Sequence, residues 1–207
     1  VAPGLEPSVE NLLLLFLKAP VPGRVKTRLA ATLGAEAAAG LYVRMARQVY
    51  QAASRLPGIQ TLAAYEPAQA FPDLSWLGPH PPAFAAQEGE GLGQRLENAF
   101  RLAFSLGARR VAAIGADSPG LPAEWLSLAF AELGRNAMVL GPAEDGGYYL
   151  IGLSRFEPAL FETIPWSSPQ VLALTLDKAR DLGLAFFLLP EYFDVDDEES
   201  LRRWERL

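Results

Sequence analysis

Six consecutive apolar residues, Leu12-Leu13-Leu14-Leu15-Phe16-Leu17, run straight into Lys18-Ala19-Pro20-Val21-Pro22-Gly23-Arg24-Val25-Lys26-Thr27-Arg28. An apolar run with no polar face to leave in water reads as a strand covered on both sides, the habit of a parallel sheet with helices on each face. The loop that follows is stiffened by Pro20 and Pro22 and freed at Gly23. A buried strand handing over to a charged loop is an α/β beginning.

The rest of the chain continues the alternation. Residues 35–55 read as a helix with Leu41, Met45 and Val49 spaced four apart on one face, ended by Leu56-Pro57-Gly58. Strands are predicted over 59–65 and 83–87, on either side of a Pro-rich excursion at 67–82. A helix over 92–106 would bury Leu92, Leu96, Phe100 and Ala103. Strand 111–114, a helix from about Pro122, and strands 137–140 and 148–153 follow. Helix 169–182, a final core strand at 185–189 and a short helix after Asp196 or Asp197 complete the pattern. The strand-to-strand step across 141–147 predicts an antiparallel member in a mostly parallel, mixed sheet. No linker divides the chain, so residues 1–207 read as one α/β domain, and 207 residues at 50% hydrophobic suffice for one core. Functional residues should gather beyond the carboxyl ends of the parallel strands, in the loops 18–28, 115–119 and 192–197.

Composition then excludes several chemistries. With no cysteine there is no disulfide, thiolate nucleophile or thiolate metal site, and the single histidine, His80, lies in a Gly-Pro-His-Pro-Pro turn without a nucleophile elbow nearby. Any metal would be held through oxygen, which favours Mg²⁺ or Mn²⁺. A formal charge of −6 carries no footprint for nucleic acid, and neither the 12–17 run nor the first seven residues suit a membrane span or a signal peptide. The expectation is a cytoplasmic protein acting on small molecules.

Three clusters could carry chemistry. In the first loop Lys18, Arg24, Lys26 and Arg28, with Pro22 and Gly23 shaping the backbone, suit a phosphate or diphosphate: arginine offers a donor fork, lysine a compact charge. The loop matches neither a Walker A sequence nor a Gly-x-Gly-x-x-Gly fingerprint. Arg95, one turn into its helix, could add a phosphate contact. Asp117, in Gly115-Ala116-Asp117-Ser118-Pro119, could reach a metal shared with phosphate oxygens, or could cap a turn. In Asp194-Val195-Asp196-Asp197-Glu198-Glu199 an extended backbone would point Asp194 and Asp196 the same way, toward one metal, while Asp196 or Asp197 could instead cap the last helix. In the third cluster, Glu144-Asp145-Gly146-Gly147, Asp145 could bind sugar hydroxyls or orient an acceptor and either acid could be a base, with Gly146 and Gly147 allowing close substrate approach, or the segment could be only a turn. Trp166 could stack over the cleft or pack in the core.

Taken together, Phe16-Leu17-Lys18-Ala19-Pro20-x-Pro22-Gly23-x-Val25-Lys26-Thr27-Arg28-Leu29, Gly115-Ala116-Asp117-Ser118-Pro119, Gly141-Pro142-Ala143-x-Asp145-Gly146-Gly147-Tyr148-Tyr149-Leu150-Ile151-Gly152 and Asp194-Val195-Asp196 resemble the bacterial DUF2064 family, also described as radical-SAM/selenodomain-associated transferase 1. The resemblance implies a three-layer GT-A-like (Rossmann-like) fold of the nucleotide-diphospho-sugar transferase superfamily. It further implies a nucleotide diphosphate on the 18–28 loop, metal at Asp117 with the Asp194–Asp196 segment approaching it, and donor sugar and acceptor beside Asp145, Gly146 and Gly147. Two positions depart from the family pattern, Gly91 in place of an Asp before Leu-Gly and Asp197 in place of a Thr; the latter exchanges one helix cap for another. The implied activity is metal-dependent sugar transfer to a small acceptor, with nucleotidyl transfer and non-catalytic nucleotide binding as the alternatives.

Overall fold

The computed structural model describes residues 9–66 and 73–207; the N-terminal segment and part of the Pro-rich excursion, 67–72, lie outside the described residues. The chain forms β1 (Asn11–Leu17), α1 (Thr27–Leu33), α2 (Ala35–Ser54), β2 (Ile59–Tyr65), β3 (Ala83–Ala86), α3 (Leu92–Ser105), β4 (Arg110–Ile114), α4 (Ala123–Glu132), β5 (Met138–Pro142), β6 (Tyr148–Leu153), α5 (Val171–Asp181), β7 (Phe186–Leu188) and α6 (Glu198–Trp204). The strands make one sheet in the order β3-β2-β1-β4-β6-β5-β7. Among the described strands only β6 runs against its neighbours, β4 and β5, because the short 143–147 connection can only reverse the chain.

β1 shows why this sheet has two covered faces. Leu13, Leu15 and Leu17 pack with Leu29, Met45, Val49, Leu126 and Phe130 on one side, whereas Leu12 and Leu14 pack with Leu96, Phe100 and Phe161 on the other. All five leucines are essentially inaccessible, so alternation along one strand feeds two separate cores. The result is three layers, with α1, α2 and α4 on one face and α3 and α5 on the other.

Three expectations are corrected. The basic loop ends in a separate helix, α1, which Gly34 divides from α2: at φ 85 its N–H closes on Ala30 O and its own carbonyl accepts from Ala38. β7 is an edge strand rather than a core strand, with Phe186 and Phe187 half-buried and Leu188 exposed. Leu92 is 43% exposed, since it opens α3 at the rim of a cleft rather than facing the sheet.

From β1 the chain steps outward to β2 and β3, then returns to the opposite side of β1 as β4. The loops after β1 and β4 therefore diverge, and a crevice opens between them at the carboxyl ends of the strands.

Candidate active site

A cleft of about 640 Å³ occupies that crevice, lined by parts of the 18–28 loop, Glu66, Gln87, the start of α3, the 115–118 loop, Tyr148 and the 194–196 segment. Val25 and Leu29, 2% and 1% exposed, anchor the basic loop in the core on either side of Lys26. Lys26 adopts left-handed backbone angles, φ 46 and ψ 48, which costs a residue with a β-carbon about 1–2 kcal/mol. That conformation holds its side chain inward, only 4% exposed, where Nζ lies 2.6 Å from Asp117 Oδ1 and 2.8 Å from Asp196 Oδ1. Burial alone would lower the lysine pKa, but the two carboxylates outweigh it and the pKa is raised, so the ammonium stays charged.

Asp117 follows β4, and its carbonyl accepts from Val195 N at 2.8 Å, tying the two acidic loops together by main chain. Val195 is fully buried, so the alternating side chains of Asp194 and Asp196 emerge on the cleft side. Asp194 accepts from Ser118 Oγ at 2.5 Å. Burial first, then the neighbouring charges of Asp117 and Asp196, push its carboxyl up to about 6, against the opposing pull of Ser118 and Lys26. Asp197 settles the capping alternative: its side chain accepts from Ser200 N and the two residues form a capping box at the start of α6.

The expected three-acid metal set is not gathered as a cage. Among the described residues no three acidic or imidazole side chains are placed to hold an ion by themselves, because Asp194 is turned to Ser118 and Lys26 sits between the other two. Asp117 and Asp196 nevertheless remain about half exposed, at 48% and 49%, and each gives Lys26 one oxygen. Two hard carboxylates facing this cleft fit Mg²⁺ or Mn²⁺ chemistry, in which the remaining ligands are substrate oxygens and water.

Lys18, Arg24 and Arg28 are exposed at the rim of the same cleft, and none closes an ion pair among the described residues. The amide of Lys18 donates to the buried Tyr42 hydroxyl at 2.8 Å, fixing where the loop leaves β1. Arg95 also lines the cleft but is committed, with Nη1 3.0 Å from Glu66 Oε1 and Nε donating to Gly89 O. Pro22 and Gly23 shape the turn at the loop's exposed tip, where Gly23 has φ 77, and are not among the lining residues.

The third cluster is placed differently. Asp145, Gly146 and Gly147 do not line the cleft. Asp145 Oδ1 accepts from Gly147 N at 2.9 Å, an Asx turn that satisfies the carboxylate locally. Gly146, at φ 86, lies so close to Pro169 that a β-carbon would stand 2.2 Å from its carbonyl oxygen. Both features explain the Asp-Gly-Gly run as the closure of a strand-to-strand turn. Trp166 packs rather than overhanging the cleft: it is half-buried, meets Tyr148 edge-on at 6.3 Å, and presses on Gly93, where a β-carbon would fall 2.1 Å from its indole nitrogen. Ser118 lay within a quoted motif without a role of its own, and Glu66 and Gln87 are site residues outside every motif; these two directly follow β2 and β3, so the strand-end rule applied at those two strands points to them.

The comparisons with known proteins agree with this architecture. A solved structure from Desulfovibrio desulfuricans G20, described as a putative nucleotide-diphospho-sugar transferase, is 38% identical and superposes with a TM-score of 0.89, covering 95% of this chain and 86% of that one. More distant matches share the fold alone. CMP:2-keto-3-deoxy-manno-octonic acid synthetase complexed with CTP has a TM-score of 0.59 at 12% identity, over 95% of this chain and 97% of that one. Glucosyl-3-phosphoglycerate synthase from Mycobacterium tuberculosis, in complex with Mn²⁺, UDP and glucosyl-3-phosphoglycerate, has a TM-score of 0.53 at 12% identity, over 89% and 71%. No curated protein matches the chain. The model of DUF2064, an uncharacterized protein family conserved in bacteria, matches residues 48–168. With more than half of its length matched and a 38% identical relative spanning nearly all of it, the chain belongs to the DUF2064 family.

Proposed function

We propose that this protein transfers a sugar from a nucleotide-diphospho-sugar to a small-molecule acceptor, with Mg²⁺ or Mn²⁺ as cofactor. The observation that carries the reading is the pairing of Asp117 and Asp196 across one buried cation beside three uncommitted basic side chains, all in one cleft at the reversal point of the sheet. Such a site suits a substrate whose reacting end is a diphosphate. The 38% identical relative supports the same direction.

In this reading Lys18, Arg24 and Arg28 bind the diphosphate, and Lys26 keeps Asp117 and Asp196 close together while adding fixed positive charge where the diphosphate departs. Asp117 and Asp196 would hold the divalent ion, which when bound supplies Lewis-acid neutralisation of the leaving diphosphate. The bond from the anomeric carbon to the diphosphate oxygen breaks, the diphosphate leaves with the electron pair, and a lone pair of the acceptor heteroatom forms the new bond while its proton passes to the departing diphosphate or to water. Asp145 takes no proton here, since its carboxylate is turned to its own turn amide outside the cleft.

The test is phosphorus NMR on purified protein with Mg²⁺ or Mn²⁺, offered nucleotide-sugars with a pooled small-metabolite acceptor extract. Nucleoside diphosphate released by the native protein and lost in Asp117→Asn is the expected result. Pyrophosphate formed from nucleoside triphosphates and sugar phosphates would replace glycosyl with nucleotidyl transfer. Nucleotide binding with neither release would make the protein a non-catalytic binder.

A further inference from the structure

The cleft does not stop at the diphosphate site. It extends past Leu17 toward the ends of β2 and β3, where Glu66, Gln87 and Arg95 line it. Adjacent strands stand about 4.8 Å apart, so this end lies two to three spacings, about 10–14 Å, from the loop after β4. A nucleoside diphosphate with its outer phosphate near Asp117 places its base there.

The polar atoms at this end have fixed identities. Gln87 is 8% exposed, and its Nε2 donates to two main-chain carbonyls, Ala64 O at 2.8 Å and Leu17 O at 3.3 Å. A carbonyl can only accept, so the amide end that faces both must be the NH₂, the amide cannot be flipped, and Oε1 is an acceptor with no donor among the described residues. Glu66 is fixed by its main-chain N–H on Leu17 O and by Arg95 Nη1 on Oε1, which leaves Oε2 to accept. Arg95 is held at Nε and Nη1, which leaves Nη2 to donate. This end therefore presents two acceptors beside one donor. Leu92, one helical turn before Arg95 on the same face of α3, adds an exposed apolar side chain for the flat face of a ring.

Among the common bases only guanine carries two adjacent N–H donors, at N1 and N2, next to an acceptor, O6. Uracil offers one donor between two acceptors, while cytosine and adenine each offer one amino group next to a ring acceptor. We infer that the β2–β3 end of the cleft is a guanine-reading subsite, in which Glu66 and Gln87 Oε1 accept from N1 and N2 and Arg95 donates to O6. Resting on the transferase reading above, this makes the donor a guanosine diphospho-sugar.

The experiment is calorimetric binding of GDP, IDP, UDP, ADP and CDP to the full chain with Mg²⁺, repeated on Glu66→Gln and Gln87→Met, each checked for a native melting transition. GDP should bind at least tenfold tighter than UDP, ADP and CDP, and about tenfold tighter than IDP, which lacks only the 2-amino group, the worth of one good hydrogen bond. Glu66→Gln should remove most of the preference for GDP over UDP, and Gln87→Met should bring GDP down to IDP. Should the latter not fold, Glu66→Gln alone decides. Equal or tighter binding of UDP, ADP or CDP overturns the guanine assignment and leaves the transferase reading standing. A GDP preference unchanged in the folded variants overturns the assignment to these residues. No binding of any nucleoside diphosphate overturns the transferase reading, and the subsite with it.

Discussion

The loop after β1 and the turn between β5 and β6 lie at the same end of the sheet, carry charged side chains, and each contains a glycine with φ near 80, Gly23 at 77 and Gly146 at 86. Their charges are used in opposite ways. Lys26 reaches acids 91 and 170 positions further along the chain (117 − 26 and 196 − 26) and is buried between them. Asp145 bonds the amide two residues on and stays exposed. An ion that gives up water for distant partners makes a site; one satisfied by its own turn makes a connection.

The largest expected effect comes from breaking the first region. Lys26→Met should lower sugar-transfer activity about 10³-fold, because one cation serves both carboxylates. It should also reduce stability to urea by about 2 kcal/mol, a figure below that of a fully buried pair because Asp117 and Asp196 are half exposed. Asp117→Asn keeps the shape and removes one of the two charges that Lys26 faces, so activity should fall about 10²-fold and stability to urea by about 1 kcal/mol, Asp196 remaining as the lysine's partner. Next come the two glycines, whose backbone angles match while their surroundings differ. Gly146→Ala should cost about 2–3 kcal/mol because the new methyl meets Pro169 O, whereas Gly23→Ala, with nothing within 4 Å, should cost about 1 kcal/mol; paired urea titrations measure the gap. The smallest effect belongs to Asp145→Asn, whose side-chain oxygen preserves the Asx turn: activity within about threefold of native is expected. A 10²-fold loss there would restore Asp145 as a reacting group and dissolve the contrast.

What the linear pattern revealed follows from how local each feature is. β2 and β6 appear at the predicted boundaries, 59–65 and 148–153: β2 lies between Pro57-Gly58 and Pro67 in the sequence, and β6 starts after Gly146-Gly147 and ends where its apolar run gives way to Ser154-Arg155. α1 was hidden because Gly34 breaks it from α2 within one polar-to-alanine stretch, leaving no change of period to read. β7 looked like core because an apolar triplet reads alike at the centre and the edge of a sheet. In the site, the basic residues and Asp117, Asp194 and Asp196 were legible as types, but their sorting was not. Only the fold shows that Lys26 faces the acids rather than solvent, that Asp194 is turned to Ser118, and that the side chains after β2 and β3 belong to the same cleft.

The bond between Lys26 and Asp196 spans 170 positions of sequence. A contact of such high order cannot form until nearly the whole sheet has closed, since loop closure must be met before the pair contributes anything. The core around Leu12 and Leu14 could be assembled while the cleft still lacked Asp194 and Asp196, whose neighbours Phe193, Val195 and Leu201 complete the other core. In refolding, recovery of ligand binding should therefore trail recovery of helix and sheet signals, and a newly made chain would remain inert until residues 192–201 had docked onto the sheet.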